Sequence, residues 1–269
     1  MFNDQIIPTE NLKTQDYLDS ISKWTSDKKM KLNIDKTKNI IFNFSKNNQF
    51  STEVKLDDKV IETVSETKLL GTLITNNLSW KKNTEKLVKE SNRRMSFLHK
   101  IAKFTGNKQD LKRIYILQVR SKLEQSAVLW HSSITKECSD KLERVQKSAL
   151  KVILGSSYTT YSDALKQLKL QSLKERRRSL CLKFAEKCLR TDKFKPMFPK
   201  KTKLHCMTKR YQEKFVVKDT WTQRYKRSAI PYMQELLNDE DRRKKDILRQ
   251  IDNFVPVNNG PCSTLSLRQ

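Results

Sequence analysis

The sequence predicts an α+β fold, mostly α, on three observations. Gly 4 and Pro 6 in 269 residues leave little material for Gly-rich phosphate loops or a tightly turned all-β sandwich. Short β-like runs are confined to the stretch before Trp80. After Trp80 the apolar residues follow a period of 3.6. A small antiparallel β element followed by a helical bundle satisfies all three.

Taken in order, Leu12, Tyr17, Leu18, Ile21 and Trp24 recur at helical spacing, so one amphipathic helix spans Asn11 to Lys29. Four β-like runs follow, Asn39–Phe44, Thr52–Leu56, Val60–Val64 and Leu69–Ile74, with Asp57-Asp58 as a hairpin tip between the second and third. Leu87, Met95, Leu98 and Ile101 then line a helix of about six turns that Gly106-Asn107 ends. Another helix runs from Asp110 toward Leu123, and Ala127–Trp130 forms an apolar patch beyond it. The clearest stripe is Leu142, Val145, Gln146, Ala149, Leu150, Ile153 and Leu154, closed by Gly155.

The opposite face of that helix carries Lys141, Arg144, Lys147 and Lys151, spaced so that they form one basic ridge. Leu173 to Leu189 is a further helix, burying Leu173, Leu180, Cys181, Phe184, Ala185 and Cys188 and exposing a second ridge of Arg176, Lys183, Lys187 and Arg190. Ile230–Leu237 and Asp246–Ile251 suggest short helices around the charged run Asp239–Lys245, and the tail from Asn253 on is expected to be disordered.

The formal net charge is +26, and its distribution is uneven. Residues 1–80 hold 11 Lys, 11 acidic residues and no Arg, whereas all 16 arginines follow residue 80. A positive field confined to part of the chain suits a polyanion binder, which displaces counterions from phosphates. An ordinary solvated helix face is the alternative reading of each ridge.

Catalytic signatures are sparse. Five cysteines, odd in number and never in a C-x-x-C pair, indicate a reduced intracellular chain. No run approaches a membrane span, and Met1 to Glu10 lacks the basic and apolar regions of a signal peptide. Cys188 with His205-Cys206 comes nearest to a zinc cluster and lacks two ligands in a recognisable spacing. Asp57-Asp58 offers adjacent carboxylates, but lysines on both sides would compete with a divalent cation, so a turn is the plainer reading. Of Trp24, Trp80, Trp130 and Trp221, most are expected in the core, with Trp80 the exception at the sheet-to-helix junction.

Four motifs in one order resemble the downstream part of a non-LTR retrotransposon (LINE-type, jockey-like) reverse transcriptase. They are Trp24 … Lys29-Met30-Lys31-Leu32-Asn33 … Lys36-Thr37; Lys68-Leu69-Leu70-Gly71-Thr72-Leu73-Ile74 with Leu78-Ser79-Trp80; Ile114-Tyr115 … Val128-Leu129-Trp130-His131; and Leu142–Gly155 followed by Leu173-Lys174-Glu175-Arg176-Arg177. The resemblance implies a palm remnant with a primer-grip hairpin at 1–80, a helical thumb at 81–190, and a basic helical extension and tail at 191–269. It implies primer-grip roles for Leu70, Gly71 and Trp80.

The sequence departs from the family where chemistry would occur. The F/Y-x-D-D loop that precedes the Trp24 segment in such enzymes has no counterpart here, since Met1-Phe2-Asn3-Asp4-Gln5 holds one Asp and the wrong neighbours. Mg²⁺ is therefore expected only for an intact parent polymerase, and this chain has no cofactor of its own. The resemblance thus implies an RNA-directed DNA polymerase fragment that clamps an RNA–DNA hybrid or RNA duplex without polymerising. The missing palm and fingers are a further partner in trans, and Arg242-Arg243-Lys244-Lys245 suggests nuclear location. An independent helical module for nucleic acid or protein is the alternative.

Overall fold

The structure is a computed structural model that describes residues 10–44, 53–200, 214–217 and 222–254. It is mostly helical, as the sequence predicts, and its β structure is two small two-stranded antiparallel sheets rather than one element. The chain divides into two compact units. The first holds the chain up to Ser126 together with Ile134–Lys174, and the second holds Ala127–Ser133 together with the chain from Glu175 on.

In the first unit, helix α1 (Glu10–Asp27) packs on a hairpin of β1 (Lys55–Leu56) and β2 (Lys59–Val60). Leu18, Leu32 and Ile34 cover the buried Val54, Leu56 and Ile61. The Gln15 amide pairs with the backbone of Lys55, accepting from its N at 2.9 Å and donating to its O at 2.8 Å. Asp57 and Asp58 both have positive φ at the tip, as a two-residue type I′ turn requires. Asn39–Phe44 forms no strand. Among the described residues its ladder contact is a bridge from Asn39 to Thr63, and Phe42 and Phe44 are about half exposed. Trp24, expected in the core, is 55% exposed because α1 turns Leu18 inward and Tyr17, Ile21 and Trp24 outward.

The run Leu69–Ile74 is two strands rather than one. Leu70 (φ 46°) and Gly71 (φ 84°) close a second type I′ turn between β3 (Glu66–Leu69) and β4 (Thr72–Thr75), paired Glu66 to Thr75 and Leu69 to Thr72.

Helix α2 (Lys81–Phe104) buries Leu87, Met95 and Leu98. Asn107 then caps α3 (Lys108–Ile114), its side chain accepting from Gln109 N at 3.0 Å. The predicted helix to Leu123 contains a π-helical segment, Tyr115–Arg120, before α4 (Ser121–Leu123). That turn places Tyr115 and Val119 wholly inside, which no periodicity announced. Helix α6 (Lys136–Leu154) packs on α2 and buries every residue of the predicted stripe, Gln146 included. Helix α7 (Tyr161–Gln167) follows. The Tyr115 hydroxyl donates to Gln146 Oε1 at 2.5 Å, and Gln146 Nε2 donates to Tyr161 Oη at 2.8 Å and Gln171 O at 3.0 Å. Tyr161 in turn donates to Glu143, which also accepts from Leu173 N at 3.0 Å.

The second unit contains α5 (Ala127–Trp130), most of α8 (Leu173–Arg190), α9 (Gln223–Lys226) and α10 (Ala229–Phe254). Its core joins Cys181, Ala185 and Cys188 to Phe198, Phe215, Met233, Leu236 and Leu237. The Asn238 amide pairs with the backbone of Phe215, accepting at 2.9 Å and donating at 3.1 Å. Phe184 is 43% exposed, since it sits at the edge of the buried stripe. The two short helices expected after Ile230 are one, because Asp239–Arg242 and Asp241–Lys245 pairs carry the charged run through as helix. Asn253 and Phe254 belong to this helix, and the remaining tail lies outside the described residues. Among the described residues no helix is long and apolar enough to cross a membrane.

Candidate nucleic-acid interface

On α6 the core stripe fixes which side chains face water. Thr135 caps its start, accepting from Cys138 N at 3.2 Å, and the stripe locks its rotation. Arg144, Lys147 and Lys151 are exposed, and the Lys151 ammonium lies 5.5 Å from the Tyr158 ring centre. Lys141 is turned aside. It pairs with Glu137 at 2.7 Å and Glu85 at 3.9 Å, and the bond it donates to Glu137 holds its ammonium above the usual lysine range. Three cations, not four, therefore stand exposed along this ridge, with Lys151 partly held over Tyr158.

The same packing produces a feature the amino-acid pattern had not suggested. A groove of about 510 Å³ runs along α2 beside α6, and Lys89 and Arg93 line it together with Lys141. The signal was present: Lys89 and Arg93 are four residues apart, on the face opposite Leu87 and Met95.

The α8 ridge belongs to the second unit. Lys183, Lys187 and Arg190 are exposed, while Arg176 is half-buried and already engaged. The neighbouring Arg177 lies on the inward face and is 0% exposed, its guanidinium 5.7 Å from the Trp130 ring centre. Its four-residue spacing from Leu173 and Cys181 was the available clue.

At the β3–β4 tip, Leu70 is 92% exposed although its φ is positive, a conformation that costs a branched side chain of order 1 kcal/mol. Lys86 Nζ donates to Gly71 O at 2.7 Å, and Leu73 N donates to Asn83 Oδ1 at 3.1 Å, so α2 holds the turn from below. A Cβ on Gly71 would sit 2.3 Å from Gln125 Nε2. Burial, then the nearby Lys68, lowers the Lys86 pKa, and the bond from Lys122 lowers that of Glu90. Trp80 lies at the far end of β4, half-buried at the start of α2, so Leu70 and Gly71 meet at one tip and Trp80 does not join them.

Among the described residues no group of three His, Cys, Asp or Glu side chains is arranged to hold a metal ion; His205 and Cys206 lie outside them, as do Trp221 and Cys262. Cys138, Cys181 and Cys188 are free and buried. Chemically, the described residues set exposed cations on helix faces, an arrangement of the kind that can contact phosphates. No protein-family model, curated protein or solved structure matches the chain.

Proposed function

We propose that the chain is the downstream part of a non-LTR retrotransposon reverse transcriptase, the end of the palm with its primer-grip hairpin followed by a thumb. In this reading it binds an RNA–DNA hybrid or RNA duplex through the phosphates and does not polymerise alone. The observation that carries the binding is the α6 ridge, where Arg144, Lys147 and Lys151 stand exposed along one face whose rotation the core fixes. Cations so placed neutralise phosphates without reading bases.

The hairpin adds support at the position where the sequence resembles a primer grip. Leu70 is exposed at the tip of a turn whose first central residue would ordinarily be Asn or Asp, and an unfavourable local choice of this kind is typical of functional positions. The segment before Trp24 shows no counterpart of the family's F/Y-x-D-D pair, so binding, and not phosphoryl transfer, is the role proposed for this chain. The missing palm and fingers, in trans, and a nuclear site belong to the same proposal.

The test is binding of the full chain to a fluorescent RNA–DNA hybrid across a salt series, with Mg²⁺ and nucleotides added to parallel samples. Tight binding that weakens steeply with salt, without primer extension, is expected. Absence of binding at about 50 mM salt overturns the clamp, and extension overturns the assignment of an inactive part.

A further inference from the structure

Helix α2 has a second face that the duplex reading does not use. Inside, Leu87, Met95 and Leu98 are buried; outside, Lys89, Arg93, Lys100 and Lys103 are all exposed. Between them stand Phe97, 52% exposed, and Phe104, 90% exposed. A single exposed phenylalanine is ordinary. Two on one stripe, seven residues apart among four cations, form a pattern.

Charge narrows the occupant. From Lys89 to Phe104 the helix has one carboxylate, Glu90, and it is directed away to Lys122 at 2.5 Å. None of the four cations forms an ion pair among the described residues. The partner must then be anionic along about 21 Å, the rise from Lys89 to Lys103 at 1.5 Å per residue. It must also present flat apolar surface at two points about 10 Å apart, the spacing of about three stacked nucleotides at 3.4 Å each. In a duplex the base faces are covered by stacking on neighbouring pairs, whereas a single strand can offer its base faces to aromatic side chains.

We infer that the outer face of α2 binds single-stranded nucleic acid, with Phe97 and Phe104 stacking on bases while Lys89, Arg93, Lys100 and Lys103 neutralise the phosphates between and beside them. Lys89 and Arg93 also line the groove beside Lys141 of α6; Glu85 lines it too, at the end away from Phe97 and Phe104, where Lys141 lies 3.9 Å from its carboxylate. This inference does not depend on duplex binding, because the face, the side chains and the chemistry differ.

The experiment uses the full chain and two fluorescein-labelled probes, an oligouridylate of about 12 nucleotides, within known single-strand site sizes, and an RNA–DNA hybrid. Phe97→Ala/Phe104→Ala is expected to weaken oligouridylate binding about 30-fold, one modest stack at each ring, with the salt slope unchanged and hybrid affinity intact. Phe97→Trp/Phe104→Trp should retain single-strand affinity and show tryptophan quenching on addition of the strand. Both variants change exposed rings, and thermal melting checks that each remains folded. The inference is overturned if the wild type fails to bind oligouridylate at about 50 mM salt, if the alanine variant binds it as the wild type does, or if it loses hybrid affinity equally. Single-strand binding without hybrid binding would support this inference while overturning the duplex clamp.

Discussion

The guanidinium of Arg177 lies 5.7 Å from the centre of the Trp130 ring, and both side chains are fully buried. Arg177 Nε also donates to His131 Nδ1 at 3.3 Å, and the His131 ring meets Tyr232 edge-on at 5.6 Å. An arginine buried in this way gains attraction from the desolvated ring and incurs the cost of leaving water.

Arg177→Ala removes the stacking and leaves a cavity, so it should destabilise the second unit by on the order of 2–4 kcal/mol. Arg177→Met fills the volume without a charge to desolvate and should recover most of that loss. Urea unfolding followed by tryptophan fluorescence measures both. Equal losses in the two variants would mean that charge, not packing, sets the cost.

In the first unit, Gln146 connects Tyr115 and Tyr161 by hydrogen bonds of 2.5 and 2.8 Å. Gln146→Leu leaves the buried Tyr115 hydroxyl without its acceptor and should cost about 1–3 kcal/mol. Removing that hydroxyl in the same background, by Tyr115→Phe, should then cost less than it does in the wild type. A double-mutant cycle in urea reads the coupling, expected at about 1 kcal/mol. Additive losses would separate the two residues energetically.

These two buried clusters also show where the sequence was legible. The α6 stripe was readable because seven positions obey one period, and its outward ridge follows from the same rotation. Gln146 was readable as buried, but its partners come from Tyr115 and Tyr161, which only tertiary packing brings together. Likewise Lys141 fits the ridge by spacing, yet it is withdrawn chiefly by Glu137, four residues back on α6 and so legible as an i,i+4 pair, and at 3.9 Å by Glu85 of another helix, which spacing along α6 cannot reveal. The β3–β4 turn was signalled by one glycine but hidden in an apolar run, since Leu70 occupies a position where turn chemistry favours a polar residue.

Burial pushes the Cys181 thiol up to about 11 from 9.0, and it raises Cys188 and Tyr232 in the same unit. A group whose pKa is raised by folding keeps its proton in the native state while the unfolded chain loses it. Stability is therefore fully present below pH 9 and falls as pH rises through 9 toward 11. The urea midpoint should drop across that window, and less so in Cys181→Ala. In the native state, Cys181 should also resist alkylation at pH values where free thiols react, because the nucleophile is the thiolate. A flat midpoint across the window would exclude the buried thiol as a source of alkaline instability.

The two ridges lie on different units, and their contributions to salt dependence should be separable. Each phosphate left without its cation lowers the magnitude of the slope of log K against log salt by about 0.9 on B-DNA. Arg144→Gln/Lys147→Gln/Lys151→Gln should therefore flatten the slope for an RNA–DNA hybrid by between two and three, because Lys151 is partly held over Tyr158. Lys141→Gln should change it little, since Glu137 and Glu85 already occupy that ammonium. If Lys183→Gln/Lys187→Gln/Arg190→Gln on α8 flattens the slope by a similar amount, and all six substitutions together give the sum, both units touch the same duplex. If the α8 variant leaves the slope as it was, α6 and its unit hold the duplex alone and the α8 ridge is a solvated helix face.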